Sequence, residues 1–303
     1  MEHIEEYNSK RKFHKWYNKN YKKLLLIPLI LFILAIGILT SSYYSTGEFL
    51  EKDITLTGGT SITVLTQDTN INLEEFSEYL NGKIDEFTLR ELSDFGSGKQ
   101  KAVIIETISE LAKAKPIIEE FLGYSLDSEN SSIESTGSSL GESFYKQLQI
   151  AILISFIFMA LIVFFIFRNF VPSFAVVISA FADIIMTLAF MNLIGMKLSS
   201  AGITAILMII GYSVDSDIML TNRLLKQHGS INKNLWGAFK TGITMNITSL
   251  IALTVALVII QSFSVVLQQI FTILLIGLGF DVLNTWITNV SILKWHLESK
   301  GHE

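Results

Sequence analysis

Six long apolar segments dominate the sequence and constrain its fold more than any other feature. Each is about 20 residues long, the length that a helix needs to cross about 30 Å of hydrocarbon. Only 17% of the residues are charged, whereas an ordinary soluble domain carries about 25%. The sequence therefore predicts a polytopic α-helical membrane protein and excludes a soluble enzyme. The predicted spans cover residues 24–44, 147–167, 172–193, 199–221, 241–261 and 265–290.

Basic residues outside the apolar segments predict the orientation of the chain, because short cytoplasmic loops collect lysine and arginine. With the N-terminal tail 1–23 inside, the short outer loops hold only Lys197. We therefore expect a retained first span, a second cytoplasmic tail at 294–303, and a five-helix bundle over 146–293. The basic residues that this orientation places inside are Lys10, Arg11, Lys12, Lys15, Lys19, Lys22, Lys23, Arg168, Arg223, Lys226, Lys233, Lys240, Lys294 and Lys300.

Residues 45–145 separate the first two spans and are long enough for one small domain, which this orientation places outside the cell. The segment is acidic, and the Gly58–Gly59 pair predicts a tight turn or bulge in its first strand. Hydrophobic periodicity predicts a βαββαβ order, which suits a ferredoxin-like α+β sandwich. The predicted strands lie near 53–66, 86–92, 101–108 and 131–136, and the helices at 73–84 and 110–122, the second containing Pro116.

The residues that catalysis and cofactor binding require are missing from the sequence pattern. The chain has no cysteine, and the outer segment has no histidine. The Gly58–Gly59 pair is not followed by the helix and lysine of a phosphate-binding loop. We therefore expect no enzyme activity, no cofactor and no metal. Because the only dense basic stretch is a short tail beside the membrane, we also expect no nucleic-acid binding.

Four carboxylates, Asp183, Asp215, Asp217 and Asp281, lie within the apolar segments. Each costs about 2.5–3.5 kcal/mol at the centre of a span, so such residues usually face a bundle interior, a cavity or a partner. Asp215 and Asp217 point about 200° apart on a helix, so at most one faces the same cavity as Asp183. All four, Asp281 included, are candidates for proton-relay groups. We favour Asp183 and Asp215, because Asp217 also fits an interfacial carboxylate that is paired near Arg223.

A static role for the four carboxylates stays open at this point, because polar and small residues accompany them in the spans. Glycines at 202, 211, 277 and 279 are interpreted as sites where spans pack closely. Hydrogen bonds between spans would satisfy the carboxylates without any proton movement. The polar neighbours available for this are Ser179, Ser213, Thr244, Asn246, Thr248, Ser249 and Asn284.

Four short motifs make the chain similar to a known family. They are LTGGT at 56–60, which contains Gly58, Gly59 and Thr60, STGSSLGESF at 135–144, FADIIMTLAF at 181–190 and GYSVDSDIMLTNRLL at 211–225. Together they resemble the SecD/SecF family of accessory subunits of the Sec protein translocase, and look closest to the smaller, SecF-type members of archaea. The fourth motif is the most specific, because a turn starting at Gly211 and Tyr212 and leading to an acid and Arg223 is rare in a span.

This resemblance implies a six-span half of the resistance–nodulation–division (RND) superfamily fold, paired with a SecD-type subunit beside the Sec channel. It also implies coupling of the proton-motive force to movement of outer domains that hold the translocating polypeptide. Asp183 matches the family's third-span aspartate. The bacterial fourth-span aspartate aligns with Ser216 and a bacterial fifth-span arginine with Thr244, so the relay is either rebuilt with Asp215 or absent.

Three other functions remain alternatives. An RND-type exporter of small molecules or lipids usually has two six-span halves in one chain, whereas this chain shows one. An intramembrane aspartyl protease is disfavoured because Phe280 interrupts the Gly-x-Gly-Asp-like stretch at 277–281. A purely structural subunit of the translocase, which holds its partner without coupling, agrees with the departures from the bacterial motifs.

Overall fold

The computed structural model of the chain describes residues 16–17, 19–66, 70–93, 99–226, 230–260 and 264–300. Within this part of the chain, six helices are long and apolar enough to cross a membrane, and each coincides with a predicted segment. In chain order the elements are α1 (Leu26–Thr46), α2 (Ile54–Thr57), β1 (Gly59–Leu65), α3 (Leu73–Leu80), β2 (Phe87–Ser93), β3 (Gln100–Thr107), α4 (Leu111–Leu122), β4 (Ser131–Thr136), α5 (Ser138–Phe167), α6 (Phe170–Leu193), α7 (Ser200–Lys226), α8 (Ile231–Ile260), α9 (Val265–Leu283), a π-helical segment (Asn284–Asn289) and α10 (Val290–Ser299).

Helices α6 and α7 form the centre of the membrane bundle. More than half of the most apolar stretch of each is buried, 61% and 56%, compared with 17% for α1 and α5 and 6% for α8. Val176 and Ala180 of α6 pack with Ile206 and Ile209 of α7 in the main apolar core. The two central helices are therefore the spans that are most enclosed by protein.

The outer domain is an antiparallel four-stranded sheet in the order β2-β3-β1-β4. Helices α3 and α4 pack on one face of this sheet and complete its core through Phe76 and Ile118, which contact a cluster containing Ile62 and Ile105. This strand order and the βαββαβ connectivity confirm the ferredoxin-like α+β domain.

Two predicted elements differ in extent from the structure. The strand predicted over residues 53–66 begins only at Gly59, because the side chain of Asp53 caps a single helical turn at Ile54 and the chain then turns at Gly58. The alternation of apolar residues over 54–56 fits one helical turn as well as a strand. The helix predicted over residues 73–84 ends at Leu80, just before Gly82, which has a left-handed φ of 79°.

The Gly58–Gly59 pair joins the outer domain to the membrane helices. Both glycines have positive φ, 86° and 139°. A Cβ atom on Gly59 would lie 2.4 Å from the carbonyl oxygen of Thr107, and one on Gly141 of α5 would lie 2.8 Å from the nitrogen of Gly58. The Thr60 hydroxyl donates to the carbonyl oxygen of Ser109 at 2.8 Å. The motif therefore allows close backbone packing, in agreement with a tight turn.

The last span continues beyond the predicted boundary near residue 290. Val266–Ser299 forms one continuous helical stretch that includes the π-helical segment and α10. Lys294, which the sequence places in a cytoplasmic tail, is only 3% exposed and lies 4.9 Å from the centre of the Tyr21 ring. α10 therefore packs against the residues around Tyr21, which precede α1.

Candidate functional site

Three of the four carboxylates in the spans lie inside the bundle. Asp183 of α6 and Asp217 of α7 are fully buried, and Asp281 of α9 is 2% exposed. No lysine or arginine among the described residues forms an ion pair with any of them. We call these three residues the carboxylate cluster. Within the described part of the chain, their hydrogen-bond partners are neutral hydroxyl and amide groups.

Asp183 accepts two hydrogen bonds, one on each oxygen. Ser213 Oγ on α7 donates to Oδ2 at 2.6 Å, and Asn284 Nδ2 in the π-helical segment donates to Oδ1 at 2.7 Å. The Thr288 hydroxyl donates to Asn284 Oδ1 at 3.0 Å, which fixes the orientation of that amide. Asp183 therefore links α6 to α7 and to the last span.

Asp281 is surrounded by hydroxyl and amide donors. Thr285 Oγ1 lies 3.0 Å from Oδ1, Ser216 Oγ lies 3.1 Å from the same oxygen, and Asn246 Nδ2 of α8 lies 3.3 Å from Oδ2. Ser213, which donates to Asp183, and Ser216, which donates to Asp281, lie three residues apart on one face of α7. A serine hydroxyl both donates and accepts, so each carboxylate has beside it a hydroxyl that can exchange a proton.

Asp217 is only partly satisfied by hydrogen bonds. Asn289 Nδ2 donates to its Oδ1 at 2.7 Å, whereas Oδ2 is buried without a hydrogen-bond partner among the described residues. Within the same part of the chain, the Ser179 and Thr221 hydroxyls and Asn289 Oδ1 are likewise buried and unpartnered. An unpaired buried polar atom is costly, so the surroundings of Asp217 are less completely satisfied than those of Asp183 and Asp281.

One short segment supplies a donor to every carboxylate of the cluster. The π-helical residues Asn284, Thr285 and Asn289 bind Asp183, Asp281 and Asp217, respectively. π-Helical turns are rare and occur frequently at functional sites. Asn284 and Asn289 contact the neighbouring helices α6 and α7, and Thr285 contacts Asp281 one turn earlier in its own helical stretch. The geometry therefore makes this segment the centre of the site.

The structure corrects the choice between Asp215 and Asp217. Asp215 is exposed on the outside of the bundle, and Asp217 rather than Asp215 shares the interior with Asp183. The physical reason is the helix face: Ser213, Ser216 and Asp217 lie at i, i+3 and i+4 and point together into the bundle. Asp217 is therefore a buried member of the cluster and not an interfacial carboxylate.

The other residues singled out from the sequence lie at the edges of this site. Gly211 and Tyr212 are exposed on α7, on the same side as Asp215, and Arg223 is half-buried near the inner end. Thr244 and Thr248 are exposed on α8 and donate to carbonyl oxygens of their own helix. Ser213, Asn246 and Asn284 do bind the cluster, as the sequence indicated. Ser216, Thr285 and Asn289 were missed, although Ser216 shares a helix face with Ser213.

In the described part of the chain, no group of three or more histidine, cysteine or carboxylate side chains is arranged to hold a metal ion. The cluster instead contains buried carboxylates connected by hydroxyl and amide groups on four helices. Such an arrangement can gain, lose or exchange protons and can couple that change to helix packing.

Comparisons with known proteins agree with the fold and with the export motifs. The family described as protein export membrane protein SecD/SecF, C-terminal, matches residues 117–299. The chain is 37% identical over 281 residues to the protein-export membrane protein SecF of Methanolacinia petrolearia, covering 92% of this chain and 95% of that protein. It is 38% identical over 285 residues to SecF of Methanocaldococcus jannaschii, covering 92% of this chain and 96% of that protein.

The fold is also similar to that of a solved structure. The crystal structure of SecDF from Thermus thermophilus, a translocon-associated membrane protein, matches with a TM-score of 0.74 at 17% identity. The match covers 92% of this chain and 38% of the SecDF chain. This chain therefore spans well under half of the SecDF length and corresponds to one part of that longer protein.

Proposed function

Because the chain belongs to the SecD/SecF family of protein-export membrane proteins, we propose that it is a SecF-type accessory subunit of the Sec translocase. It is a multi-pass membrane protein that acts with a SecD-type subunit and the Sec channel on translocating polypeptide. It couples the proton-motive force to movement of its outer domain. The observation that carries the coupling is the carboxylate cluster, which is buried among neutral donors on the helices that position the outer domain.

Proton exchange in this mechanism involves particular atoms. Thr288 holds the Asn284 amide so that its NH₂ group faces Asp183 Oδ1. A proton on that oxygen would point at the hydrogens of the NH₂ group and would be repelled by them. The proton therefore resides on Oδ2, and the Ser213 hydroxyl turns from donating to accepting. The Ser216 hydroxyl, which donates to Asp281, can turn in the same way when that carboxylate takes up a proton.

Each protonation change alters contacts between helices, which is how a proton does mechanical work here. The bonds of Asp183 and Asp281 join α6, α7, α8, α9 and the π-helical segment. Removing a negative charge weakens charge-assisted hydrogen bonds, which are about twice as strong as neutral ones. The packing of α6 and α9 on α7 therefore differs between the protonated and ionised states, and two such packings are the two states of the subunit.

The orientation follows from charge. Basic residues gather at the ends of the spans opposite the acidic outer domain, so both termini are cytoplasmic and residues 45–145 are outside. Asp53 and Glu106 then lie on the outer side of the membrane. The proton-motive force drives protons inward from that side, while the polypeptide is exported outward to it.

The exposed stripe on α7 supports a membrane partner. Thr204, Met208, Gly211 and Asp215 repeat at intervals of four, three and four residues and are exposed on one face of a helix whose other faces are buried. A lipid-facing carboxylate is costly, while small and polar residues are typical of contacts between spans. A SecD-type subunit that covers this stripe provides Asp215 with a polar partner.

Reconstitution tests the proposed function. Proteoliposomes containing the Sec channel and a SecD-type partner are prepared with and without this chain, and export of an unfolded substrate is measured with and without a proton gradient. The chain is expected to raise export mainly when the gradient is present. Export that rises equally without a gradient would leave only the non-coupling structural role, and no rise at all would contradict a role in export.

A further inference from the structure

The loop between α6 and α7 makes the outer domain continuous with the membrane bundle. Its residues 194–199 follow α6, which carries Asp183, and lead into α7, which carries Asp217. The amide of Leu198 donates to the carbonyl oxygen of Glu51 at 2.7 Å, and the amide of Asp53 donates back to Leu198 at 2.8 Å. The loop thus pairs as a short strand with the segment that enters the outer domain.

A buried ion pair fastens the same loop to the sheet. Glu106 of β3 is only 8% exposed, and Lys197 Nζ lies 3.0 Å from its Oε2. Arg90 of β2 binds the other carboxylate oxygen. Burial acts to raise the pKa of Glu106, but Arg90 and then Lys197 outweigh it, so the pKa lies below its ordinary value. Glu106 is therefore an ionised link between the loop and two strands.

The last span meets this loop as well. Gln269 of α9 donates its Nε2 to the carbonyl oxygen of Lys197 at 2.7 Å, and its Oε1 accepts from the Ser199 hydroxyl. The amide of Ser200 donates to Thr55 Oγ1 of the outer domain at 3.1 Å. Every helix that carries a member of the carboxylate cluster, α6, α7 or α9, is thus bonded to or continuous with residues 194–200.

We propose that residues 194–200 are a coupling joint, in which Lys197 and Glu106 transmit movement of the carboxylate-bearing helices to the outer domain. The inference rests on the proposed coupling function and adds the route by which movement of the helices reaches the outer domain. When α6 and α9 shift on α7, the loop moves with their outer ends. Because Glu106 ties that loop to the middle of the sheet, the outer domain follows as one body rather than bending at a flexible linker.

Asp53 gives the joint a dependence on outside pH. Burial, and secondarily the charge of Glu106, raises the pKa of Asp53 to about 6, against smaller opposite effects of its bond to Ile54 and of Arg90 and Lys197. The folded pKa is above the ordinary value of about 3.9, so the folded joint binds the proton more tightly than the unfolded chain does. The stability of the joint therefore rises as the pH falls from about 6 to about 3.9. At higher pH the ionised Asp53 repels Glu106 and loosens the joint.

Hydrogen exchange checks this dependence on the complete complex. The protection factors of the Asp53 and Leu198 amides are expected to rise as pH falls through about 6. Asp53→Asn keeps a side chain that caps α2 and removes the titration, so its protection should stay flat over the same range. An equal rise in the Asp53→Asn protein would show that Asp53 does not control the joint.

The joint itself is tested by distance measurements between two spin labels. The chain has no cysteine, so Glu120→Cys on α4 and Ile33→Cys on α1, both exposed, label the outer domain and a span in a complex with a cysteine-free SecD-type partner. Asp183→Asn fixes one charge state of the cluster and is expected to shift the measured distance. Adding Lys197→Gln or Glu106→Gln should abolish that shift, and Lys197→Arg should retain it.

The matched control is Lys113→Gln, which breaks the exposed Lys113–Asp85 ion pair of the same domain and should leave the shift intact. Export supplies the second readout: Lys197→Gln is expected to reduce the gradient-dependent increment about fivefold or more. A shift that persists in both Lys197→Gln and Glu106→Gln would overturn the joint while leaving the coupling function standing. Absence of any shift on Asp183→Asn, with Lys197 intact, would overturn the coupling function and the joint together.

Discussion

Replacing Asp183 with asparagine is expected to lower the gradient-dependent export about tenfold or more, while the protein stays folded and assembled. Asparagine keeps the shape of the side chain but cannot take part in proton exchange. One of its terminal atoms becomes a donor, and the Ser213 hydroxyl can turn to accept from it. The measurement is export into proteoliposomes in the presence and absence of a proton gradient.

The matched control is Asp215→Asn, because Asp215 lies on α7 outside the cluster and asparagine keeps a polar side chain on the partner-facing stripe. That variant should keep most of the gradient-dependent export. Copurification with the SecD-type partner monitors assembly in both proteins. Full gradient-dependent export by Asp183→Asn would refute a relay role for Asp183, and loss of assembly in that variant would point to a static hydrogen-bonding role instead.

Enlarging Gly277 is expected to damage the packing of the bundle severely. A Cβ atom there would lie 2.3 Å from Cδ1 and 2.7 Å from Cγ1 of Ile209, which is itself buried on α7. Overpacking of this kind typically costs about 1–3 kcal/mol. Gly277→Leu would also push α9 away from α7 and stretch the Ser216–Asp281 bonds of 3.1 and 3.2 Å.

Gly279 provides a control two residues away on the same helix. It is exposed, and a Cβ atom there meets nothing within 4 Å. In detergent, Gly277→Leu should lower the thermal midpoint of unfolding clearly, and the variant should lose gradient-dependent export, whereas Gly279→Leu should resemble the parent. Equal midpoints for the two variants would mean that α7 and α9 do not pack as closely as the structure shows.

The spans and the outer domain were predictable because they depend on long, regular patterns. An apolar block of about 20 residues has one stable arrangement in a bilayer, and the βαββαβ periodicity restricts the outer domain to few topologies. The exception is the single helical turn at Ile54–Thr57, where a short alternation of apolar and polar residues fits a strand as well as a helical turn. The Asp53 cap and the turn at Gly58 favour the helical turn.

The composition of the site was less accessible from sequence. The 200° separation of Asp215 and Asp217 shows that only one faces inward, but not which one. The shared face of Ser213, Ser216 and Asp217 carried that information and could have decided the choice. Thr285 and Asn289 lie four and eight residues after Asp281, on the helix face that carries it. A repeat of 3.6 residues therefore places both near Asp281, but the bond from Asn289 to Asp217 of α7 depends on how the two helices pack in the folded bundle.

The central claim, that the buried carboxylates change protonation when the subunit works, is tested most directly by infrared difference spectroscopy of the reconstituted complex. A carbonyl stretching band of a protonated carboxyl group is expected to appear or shift when a proton gradient is imposed, and to change in Asp183→Asn but not in Asp215→Asn. A difference spectrum with no carboxyl band, or with one identical in the parent and Asp183→Asn, would contradict the account.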